Sequence, residues 1–157
     1  LFNLINLYFK NEINSVIDNG IKINLIGGIN KLPTKIKKSL KKTINMTKNN
    51  NNITVNLAIN YGSRSEIINS IKKIKIVKKI NEKNFSKLLY TKNLPEPDIL
   101  IRTGGQKRIS NFLLWQIAYT EIYFLNKLWP DFNEKDLKNI ILDFKKTKRN
   151  FGAINDK

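Results

Sequence analysis

The sequence of residues 98–125 reads DILIRTGGQKRISNFLLWQIAYTEIYFL and contains two short apolar runs separated by a glycine pair. Its pattern predicts a strand over 98–102, a turn at Thr103-Gly104-Gly105, a short helix over about 110–119 and a second strand over 121–125. We expect Ser110 to cap that helix. A strand, a helix and another strand in succession are typical of a parallel β-α-β unit.

The remaining sequence repeats this alternation. Apolar residues at every second position predict strands over 21–26 and 53–59. Five further helices are predicted. The first ends before Gly20, the second covers 34–48, the third has Ser63 or Ser65 as its cap, the fourth is short and covers 84–89, and the fifth begins near Asn133 with Asp136 in its first turn. We therefore expect an α/β fold with a mainly parallel sheet flanked by helices, in which ligands bind beyond the carboxyl ends of the strands.

Composition restricts the chemistry that the chain can perform. The 157 residues include no His and no Cys, which excludes disulfides, thiolate nucleophiles, imidazole bases and Cys-type zinc sites. Catalysis must use carboxylates, Arg, Lys, hydroxyls, backbone amides and a hard metal ion. The net charge of +17 comes from 25 Lys and only 4 Arg, a skew that follows AT-rich codons. We interpret most of this charge as compositional background, so the few arginines are the informative cations.

The glycine turn after the first predicted strand is a candidate anion site. Arg102 ends the strand, and Gly104 and Gly105 let the backbone turn closely around a ligand. Arg108 and Ser110 are placed at the start of the predicted helix, where free amides and the helix dipole favour an anion. Two guanidinium groups, a hydroxyl and exposed amides suit a phosphate or diphosphate. The alternative is a loop with solvated arginines and a capping serine.

Two further residues are candidates on weaker grounds. Glu121 lies between apolar segments, where a carboxylate is costly to bury unless it is paired, protonated or bound to a metal. Mg²⁺ suits a carboxylate beside a diphosphate, whereas the alternative is a glutamate that faces solvent or pairs with a lysine. Arg64 follows the turn after the second predicted strand and either reaches the same anion or braces neighbouring loops. We favour the structural role for Arg64.

Several segments together resemble the bacterial cis-prenyltransferases, the undecaprenyl diphosphate synthase or isoprenyl transferase family. They are residues 60–64 with Ser65-Glu66-Ile67, the block from Ile101-Arg-Thr-Gly-Gly through Arg108-Ile-Ser-Asn-Phe-Leu-Leu-Trp-Gln-Ile-Ala-Tyr-Thr-Glu121, Leu128-Trp-Pro-Asp-Phe, and Arg149-Asn-Phe-Gly152. The resemblance covers essentially the whole chain. It implies that residues 1–157 are the C-terminal portion of a single cis-prenyltransferase domain with that family's α/β fold.

The resemblance also implies a reaction. Family enzymes add isopentenyl diphosphate units to an allylic diphosphate, such as farnesyl diphosphate, and make a long cis-polyprenyl diphosphate, the lipid-carrier precursor for cell-wall synthesis. The residues that would bind isopentenyl diphosphate are Arg102, Arg108, Ile109 and Ser110, supported by Asn60, Arg64, Gly104 and Gly105. Glu121 would bind Mg²⁺ and reach the site of the other subunit in a homodimer. We expect a cytoplasmic protein, peripheral at the inner face of the membrane, with no nucleic-acid partner.

The sequence departs from the family pattern in three ways. The family's N-terminal strand and its Asp-Gly-Asn-Gly-Arg-Trp motif, whose Asp is essential for Mg²⁺ and catalysis, are absent from these residues, so no catalytic residue is assigned here. Ser63 replaces a glycine before Arg64, and Gln106 replaces an acidic residue after the glycine turn. We therefore expect this polypeptide alone to be inactive. The alternatives are a non-catalytic partner subunit of the same family and a basic RNA-binding domain.

Overall fold

Each of the four predicted strands forms to within one residue at either end. The computed structural model describes residues 2–74 and 80–149. The chain forms two compact units, residues 1–92 and residues 93–157. The first contains α1 (Phe2–Asp18), β1 (Ile21–Ile26), α2 (Thr34–Thr47), β2 (Ile53–Ala58), α3 (Ser63–Ile71) and α4 (Glu82–Ser86). The second contains β3 (Ile99–Arg102), β4 (Glu121–Phe124) and α5 (Glu134–Phe144). Both strand pairs, β1–β2 and β3–β4, are parallel, which confirms the predicted α/β class.

The first unit is built on the β1–β2 pair and on the apolar side of α2. The strands pair in register from Ile21 opposite Ile53 to Ile26 opposite Ala58. The apolar core buries Leu32, Ile36 and Leu40 against Leu25, Ile29, Leu57 and Ile59. Because the two strands are parallel, the segments that follow them leave from the same edge of the pair.

The second unit pairs β3 with β4 and adds α5. Ile99 lies opposite Glu121, and Arg102 lies opposite Phe124, so both strands begin at one edge and end at the other. The predicted start of α5 is confirmed by a capping box, in which Asn133 Oδ1 accepts from the Asp136 amide at 3.2 Å and Asp136 Oδ2 accepts from the Asn133 amide at 3.1 Å. A hydrogen bond from Lys127 and this backbone contact hold the pKa of Asp136 below its ordinary value.

One predicted helix cap and the bounds of one predicted helix are wrong. Neither Ser63 nor Ser65 caps α3, because the chain enters the helix from extended Gly62 and both serines are already helical. The short helix predicted over 84–89 begins earlier, at Glu82. The Oδ1 of Asn81 accepts from the Asn84 amide at 2.9 Å and so fixes its start.

Among the described residues, no helix is both long enough and apolar enough to cross a membrane. Residues 150–152 of the closing segment lie outside the described residues.

Candidate functional site

The glycine turn that follows β3 is held by the segment that follows β4. The amide of Gly104 donates to the carbonyl of Lys127 at 2.7 Å, and the amide of Gly105 donates to the carbonyl of Leu125 at 2.8 Å. Gly104 and Gly105 have φ values of +89° and +72°, which side-chain-bearing residues rarely adopt. A Cβ at Gly104 would meet no atom within 4 Å, so the backbone conformation, not lack of space, requires glycine there. The turn is therefore a fixed platform at the carboxyl end of β3.

Arg102 connects this platform to the predicted anion residues. Its Nη1 donates to Ser110 Oγ at 3.0 Å and also to the backbone carbonyl of Arg108. Arg102 is half-buried, whereas Arg108 and Ser110 are exposed. The structure thus brings Arg102, Arg108 and Ser110 together, with the half-buried guanidinium setting the positions of the two exposed residues. Half-buried Ile109 lies between them in the chain.

The Arg108 side chain contacts Gln106, one of the residues at which the sequence departs from the family pattern. Its Nη1 donates to Gln106 Oε1 at 2.7 Å. The neutral amide of Gln106 holds the guanidinium in place and leaves its charge uncompensated. A carboxylate at position 106 would cancel that charge. Gln106 therefore leaves more positive charge in the cluster than an acidic residue would leave.

The helix predicted over residues 110–119 does not form, and the helix-dipole argument for anion binding is wrong. Positive φ values at Ser110, Asn111 and Leu113 (+47°, +63° and +48°) place three residues in the left-handed region, which interrupts a right-handed helix. Residues 110–119 instead form successive turns. The spacing of apolar residues matched a helix, but it does not report backbone handedness. Anion binding here must rest on the arginines and the serine hydroxyl.

Glu121 lies at the opposite edge of the β3–β4 pair from Arg102. It begins β4, its amide donates to the carbonyl of Asp98 at 3.0 Å, and its strand partner is Ile99. Arg102 is three residues further along the ladder, which corresponds to about 10 Å along a parallel strand pair. Within one chain, Glu121 therefore lies at the edge of the strand pair opposite Arg102, whereas the sequence suggested that it lies beside the diphosphate site.

The surroundings of Glu121 are acidic. Desolvation, the hydrogen bond from Tyr123 Oη to Asp143 Oδ2 at 3.1 Å, and the charges of Asp143 and Glu121 raise the pKa of Tyr123 above its ordinary value. Glu121 is half-buried, and no salt bridge to it is present between described residues. The pairing with a lysine that we considered from the sequence is thus not seen there.

Glu121 offers only part of a Mg²⁺ site. Among residues 2–74 and 80–149, no cluster of three acidic side chains could hold a metal ion. Mg²⁺ commonly takes one or two carboxylates together with water and substrate phosphate oxygens. A single half-buried carboxylate fits that pattern as one ligand, and the remaining oxygens must come from a diphosphate, from water or from another polypeptide segment.

The supporting residues Asn60 and Arg64 belong to the first unit. Asn60 Nδ2 donates to the carbonyl of Gly28 at 3.0 Å, and the Gly28 amide donates to the carbonyl of Asn60 at 3.1 Å. This exchange locks together the segments that leave β1 and β2. A Cβ at Gly27 would lie 2.3 Å from the carbonyl oxygen of Ile59, so only glycine fits beside that loop. Arg64 is exposed in the first turn of α3.

Glu66 is a structural residue that the sequence reasoning missed. Its side chain is 1% exposed, and its two oxygens accept from Tyr61 Oη at 2.5 Å and from the Tyr90 amide at 2.7 Å. It therefore ties the loop after β2 to the segment that follows α4. The sequence signal for Glu66 was an acidic residue in the first turn of a helix. Solvent-exposed glutamates are just as common at that position, so the signal does not indicate burial.

We expect Glu66→Ala to lower the free energy of unfolding by about 1–3 kcal/mol, because it leaves the partly buried hydroxyl of Tyr61 and the partly buried amide of Tyr90 without the acceptor that Glu66 provides. Urea unfolding followed by circular dichroism measures this loss. Glu66→Gln keeps one acceptor oxygen and should lose less. Glu12→Ala, at an exposed position of α1, is the matched control and should change stability by less than about 0.5 kcal/mol. Equal losses for the Glu66 and Glu12 variants would show that Glu66 does not brace the loop.

Arg149 braces the edge of the second unit at which Glu121 lies. Its guanidinium forms a salt bridge with Asp98 at 2.5 Å, donates to the carbonyl of Tyr119 at 2.9 Å and lies 5.5 Å from the centre of the Phe144 ring. Arg149 thus connects the segments that precede β3 and β4 to α5. It lies in the same unit as Arg102 and Arg108 but takes a structural part at the other edge.

Comparison with known proteins gives concordant results. A family model described as "Putative undecaprenyl diphosphate synthase" matches residues 1–152. The isoprenyl transferase of Rickettsia felis is 48% identical over 154 residues, covering 97% of this chain and 66% of the relative. That of Fusobacterium nucleatum is 46% identical over 149 residues, covering 94% of this chain and 64% of the relative. The chain thus spans about two thirds of the length of these relatives.

Two solved structures are similar to this one. A probable undecaprenyl diphosphate synthase from Campylobacter jejuni superposes with a TM-score of 0.88 at 35% identity, over 97% of this chain and 73% of that protein. Lavandulyl diphosphate synthase from Lavandula x intermedia, solved in complex with dimethylallyl diphosphate, gives a TM-score of 0.90 at 30% identity, over 97% of this chain and 70% of that protein.

Proposed function

This chain belongs to the undecaprenyl diphosphate synthase family, and from that premise we propose that it forms part of an isoprenyl transferase. In this proposal the enzyme condenses isopentenyl diphosphate with an allylic diphosphate and makes a long cis-polyprenyl diphosphate, a lipid-carrier precursor for cell-wall synthesis. One family model spans residues of both compact units, which supports their belonging to one catalytic domain. The observation that carries the proposal is the cluster of Arg102, Arg108 and Ser110 beside the glycine turn.

The cluster suits the diphosphate of isopentenyl diphosphate. Arg108 presents an exposed guanidinium whose recorded partner is a neutral amide, and Ser110 presents an exposed hydroxyl. Arg102 adds a second guanidinium behind them and holds both in place. Guanidinium groups bind phosphate oxygens in pairs, and such charge-assisted hydrogen bonds are about twice as strong as neutral ones. The function of these residues is to bind and orient the substrate so that its double bond faces the allylic carbon.

In the proposed reaction, the double bond of isopentenyl diphosphate attacks the allylic carbon, the bond from that carbon to its diphosphate breaks, and inorganic diphosphate is released. Loss of a proton from carbon 2 of the isopentenyl unit to the released diphosphate then forms the new cis double bond. When bound, Mg²⁺ neutralises part of the negative charge on the departing diphosphate. Arg102 and Arg108 keep the isopentenyl diphosphate ionised and fixed during this step. Since they neither donate nor accept a proton in the reaction, their contribution is positioning and electrostatic stabilisation.

The position of Glu121 supports a site shared between two subunits. Glu121 lies at the opposite edge of the β3–β4 pair from Arg102, about 10 Å along the strands. In a symmetric homodimer, a residue at one edge of a subunit can face the site at the other edge of its partner. We propose that Glu121 of one subunit supplies a Mg²⁺ ligand for the departing diphosphate in the active site of the other.

Exposed apolar side chains in the second unit support that dimer. Neighbouring exposed apolar side chains mark interaction sites more often than single ones do. Leu128 and Trp129 are 62% and 71% exposed, and Trp129 stacks on Phe132 with ring centres 5.7 Å apart. Other exposed apolar residues of this unit are Phe112, Leu114, Ile122, Phe124, Leu137, Ile141 and Leu142.

We expect the 157-residue polypeptide alone to bind diphosphate weakly and to catalyse no prenyl transfer, because its sequence contains no Asp-Gly-Asn-Gly-Arg-Trp motif. Incorporation of radiolabelled isopentenyl diphosphate into lipid-soluble product measures this. The comparison is a chimera in which the N-terminal segment of the Rickettsia felis relative precedes this chain. We expect the chimera to be active. Labelled product from the 157 residues alone would contradict the expectation of inactivity, and an inactive but folded chimera would favour a non-catalytic partner subunit.

A further inference from the structure

The positive charge of the chain is concentrated in its first unit. Residues 1–92 carry 18 Lys and Arg against 4 Asp and Glu, whereas residues 93–157 carry 11 against 8. The net charge is therefore +14 in residues 1–92 and +3 in residues 93–157.

Part of the positive charge of the first unit lies on one face of α2. Residues 31–48 contain 7 lysines and no acidic residue. We call the exposed lysines Lys35, Lys38, Lys41 and Lys42 the lysine face. The buried residues of the helix, Ile36, Leu40, Thr43 and Thr47, lie on the opposite side. None of the four lysines forms a salt bridge with a described carboxylate.

The opposite side of α2 is fully committed to the fold. Ile36 and Leu40 are 5% and 1% exposed in the apolar core, and Thr47 Oγ1 accepts from the Ile23 amide of β1 at 3.1 Å. The helix therefore cannot rotate its apolar side into a ligand without unfolding the core. The surface of α2 that a partner can contact is the lysine face, which is flanked by Met46, a residue that is 41% exposed.

We propose that the lysine face of α2 docks the protein onto an anionic lipid bilayer. Adjacent lysines at helical spacing lie within about one Debye length of each other and of a flat charged surface, so they act together at physiological salt. Each lysine near an anionic leaflet raises partitioning by about fivefold. The preference for a bilayer over another polyanion rests on the proposed function, because the proposed product is a lipid diphosphate that belongs in a membrane.

The described side chains of the first unit give independent support for a bilayer over a nucleic acid. Proteins that bind single-stranded nucleic acid stack bases on exposed aromatic rings. Among the first-unit side chains that the structure describes, the large apolar ones that are exposed are all aliphatic: Leu7, Met46, Ile53, Ile68, Ile71 and Ile80. The lysine face thus lacks the stacking groups that such binding uses.

The test is co-sedimentation of the 157-residue chain with vesicles of 30% phosphatidylglycerol in phosphatidylcholine, and with pure phosphatidylcholine vesicles. We expect binding to the anionic vesicles only. The variant Lys38→Gln/Lys41→Gln/Lys42→Gln should lower that partitioning by at least about 10-fold, since three lysines each contribute up to about fivefold. Gln keeps helix propensity, and circular dichroism verifies the fold.

The matched control removes the same charge elsewhere. Lys138→Gln/Lys145→Gln/Lys146→Gln replaces three exposed lysines in and after α5 and should lower partitioning by less than about threefold. Equal losses for the two triple variants would show that net charge alone drives binding and would overturn the proposal. It would also be overturned if the α2 variant lost affinity for single-stranded RNA but kept its vesicle binding.

The vesicle assay contains no prenyl substrate, so it fails or succeeds independently of the proposed function. In the chimera, the α2 variant should retain isopentenyl incorporation on a detergent-solubilised allylic diphosphate. An inactive chimera whose vesicle binding still depends on α2 would overturn the proposed function and leave the docking surface standing. An active chimera whose vesicle binding is unchanged by the α2 substitutions would support the proposed function and overturn the docking surface.

Discussion

Arg102→Ala lowers kcat/KM for isopentenyl diphosphate by about 10²–10³-fold in the chimera, the range found when one preorganised charge-stabilising donor is removed from an active site. This variant should have the largest effect in the cluster because Arg102 acts twice. In the proposed site its guanidinium contacts the anion, and the same group donates hydrogen bonds to Ser110 Oγ and to the carbonyl of Arg108. Steady-state kinetics with varied isopentenyl diphosphate and saturating allylic diphosphate measure the loss.

Companion variants separate charge from geometry. Arg102→Lys keeps the positive charge but loses the planar fork, so we expect an intermediate loss. Arg108→Ala removes an exposed guanidinium that holds no other residue of the site, and it should chiefly raise the KM for isopentenyl diphosphate. Lys107→Ala, the neighbouring exposed cation, is the matched control and should change kcat/KM by less than about threefold. If the Lys107 and Arg102 variants were equally impaired, general charge rather than a built site would explain binding.

Glu121→Gln is expected to lower Mg²⁺-dependent kcat by at least about 100-fold while changing the KM for isopentenyl diphosphate little. A metal ligand contributes several kcal/mol of charge stabilisation in the transition state, and each 1.4 kcal/mol corresponds to about tenfold in rate. Glutamine preserves the size of the side chain but weakens binding to a hard cation. Turnover measured across a Mg²⁺ titration should show a loss that a higher metal concentration only partly restores.

The matched control for Glu121 is a second carboxylate from the same surroundings. Asp143 accepts the hydrogen bond of Tyr123 but lies on α5, outside the β3–β4 pair. Asp143→Asn should therefore retain most of the Mg²⁺-dependent activity. A Glu121 variant with unchanged kinetics, or an Asp143 variant equally impaired, would show that the carboxylate at position 121 has no special part in metal binding.

The elements with a strong residue pattern could be predicted from the sequence. Alternating apolar residues placed β1 and β2 to within one residue at each end, and the predicted start of α5 was confirmed by the Asn133–Asp136 capping box. The cluster of Arg102, Arg108 and Ser110 was also predicted, because a parallel strand must deliver its last residues to the edge where ligands bind. These predictions depended on local sequence alone.

The remaining features depend on backbone handedness and on the pairing of distant segments. Positive φ values at Ser110 and Leu113 replaced the predicted helix with turns, although the apolar spacing suited a helix. The place of Glu121 depends on the register of β4 against β3, which pairs residues 22 positions apart. Glu66 accepts hydrogen bonds from the hydroxyl of Tyr61 and from the amide of Tyr90, which is 24 positions away. No local sequence pattern indicates these contacts.

The most direct test of a diphosphate site shared between subunits is mixing of two inactive chimeras, Arg102→Ala and Glu121→Gln, with dimer formation verified by sedimentation. If Glu121 serves the partner's site, each mixed dimer contains one site with both native residues and one with neither. Random mixing then restores about one quarter of the wild-type isopentenyl incorporation, because half of the dimers are mixed and each has one working site of two. Mixed dimers that form but show no activity above the separate variants would contradict the account and place both residues in the same chain's site.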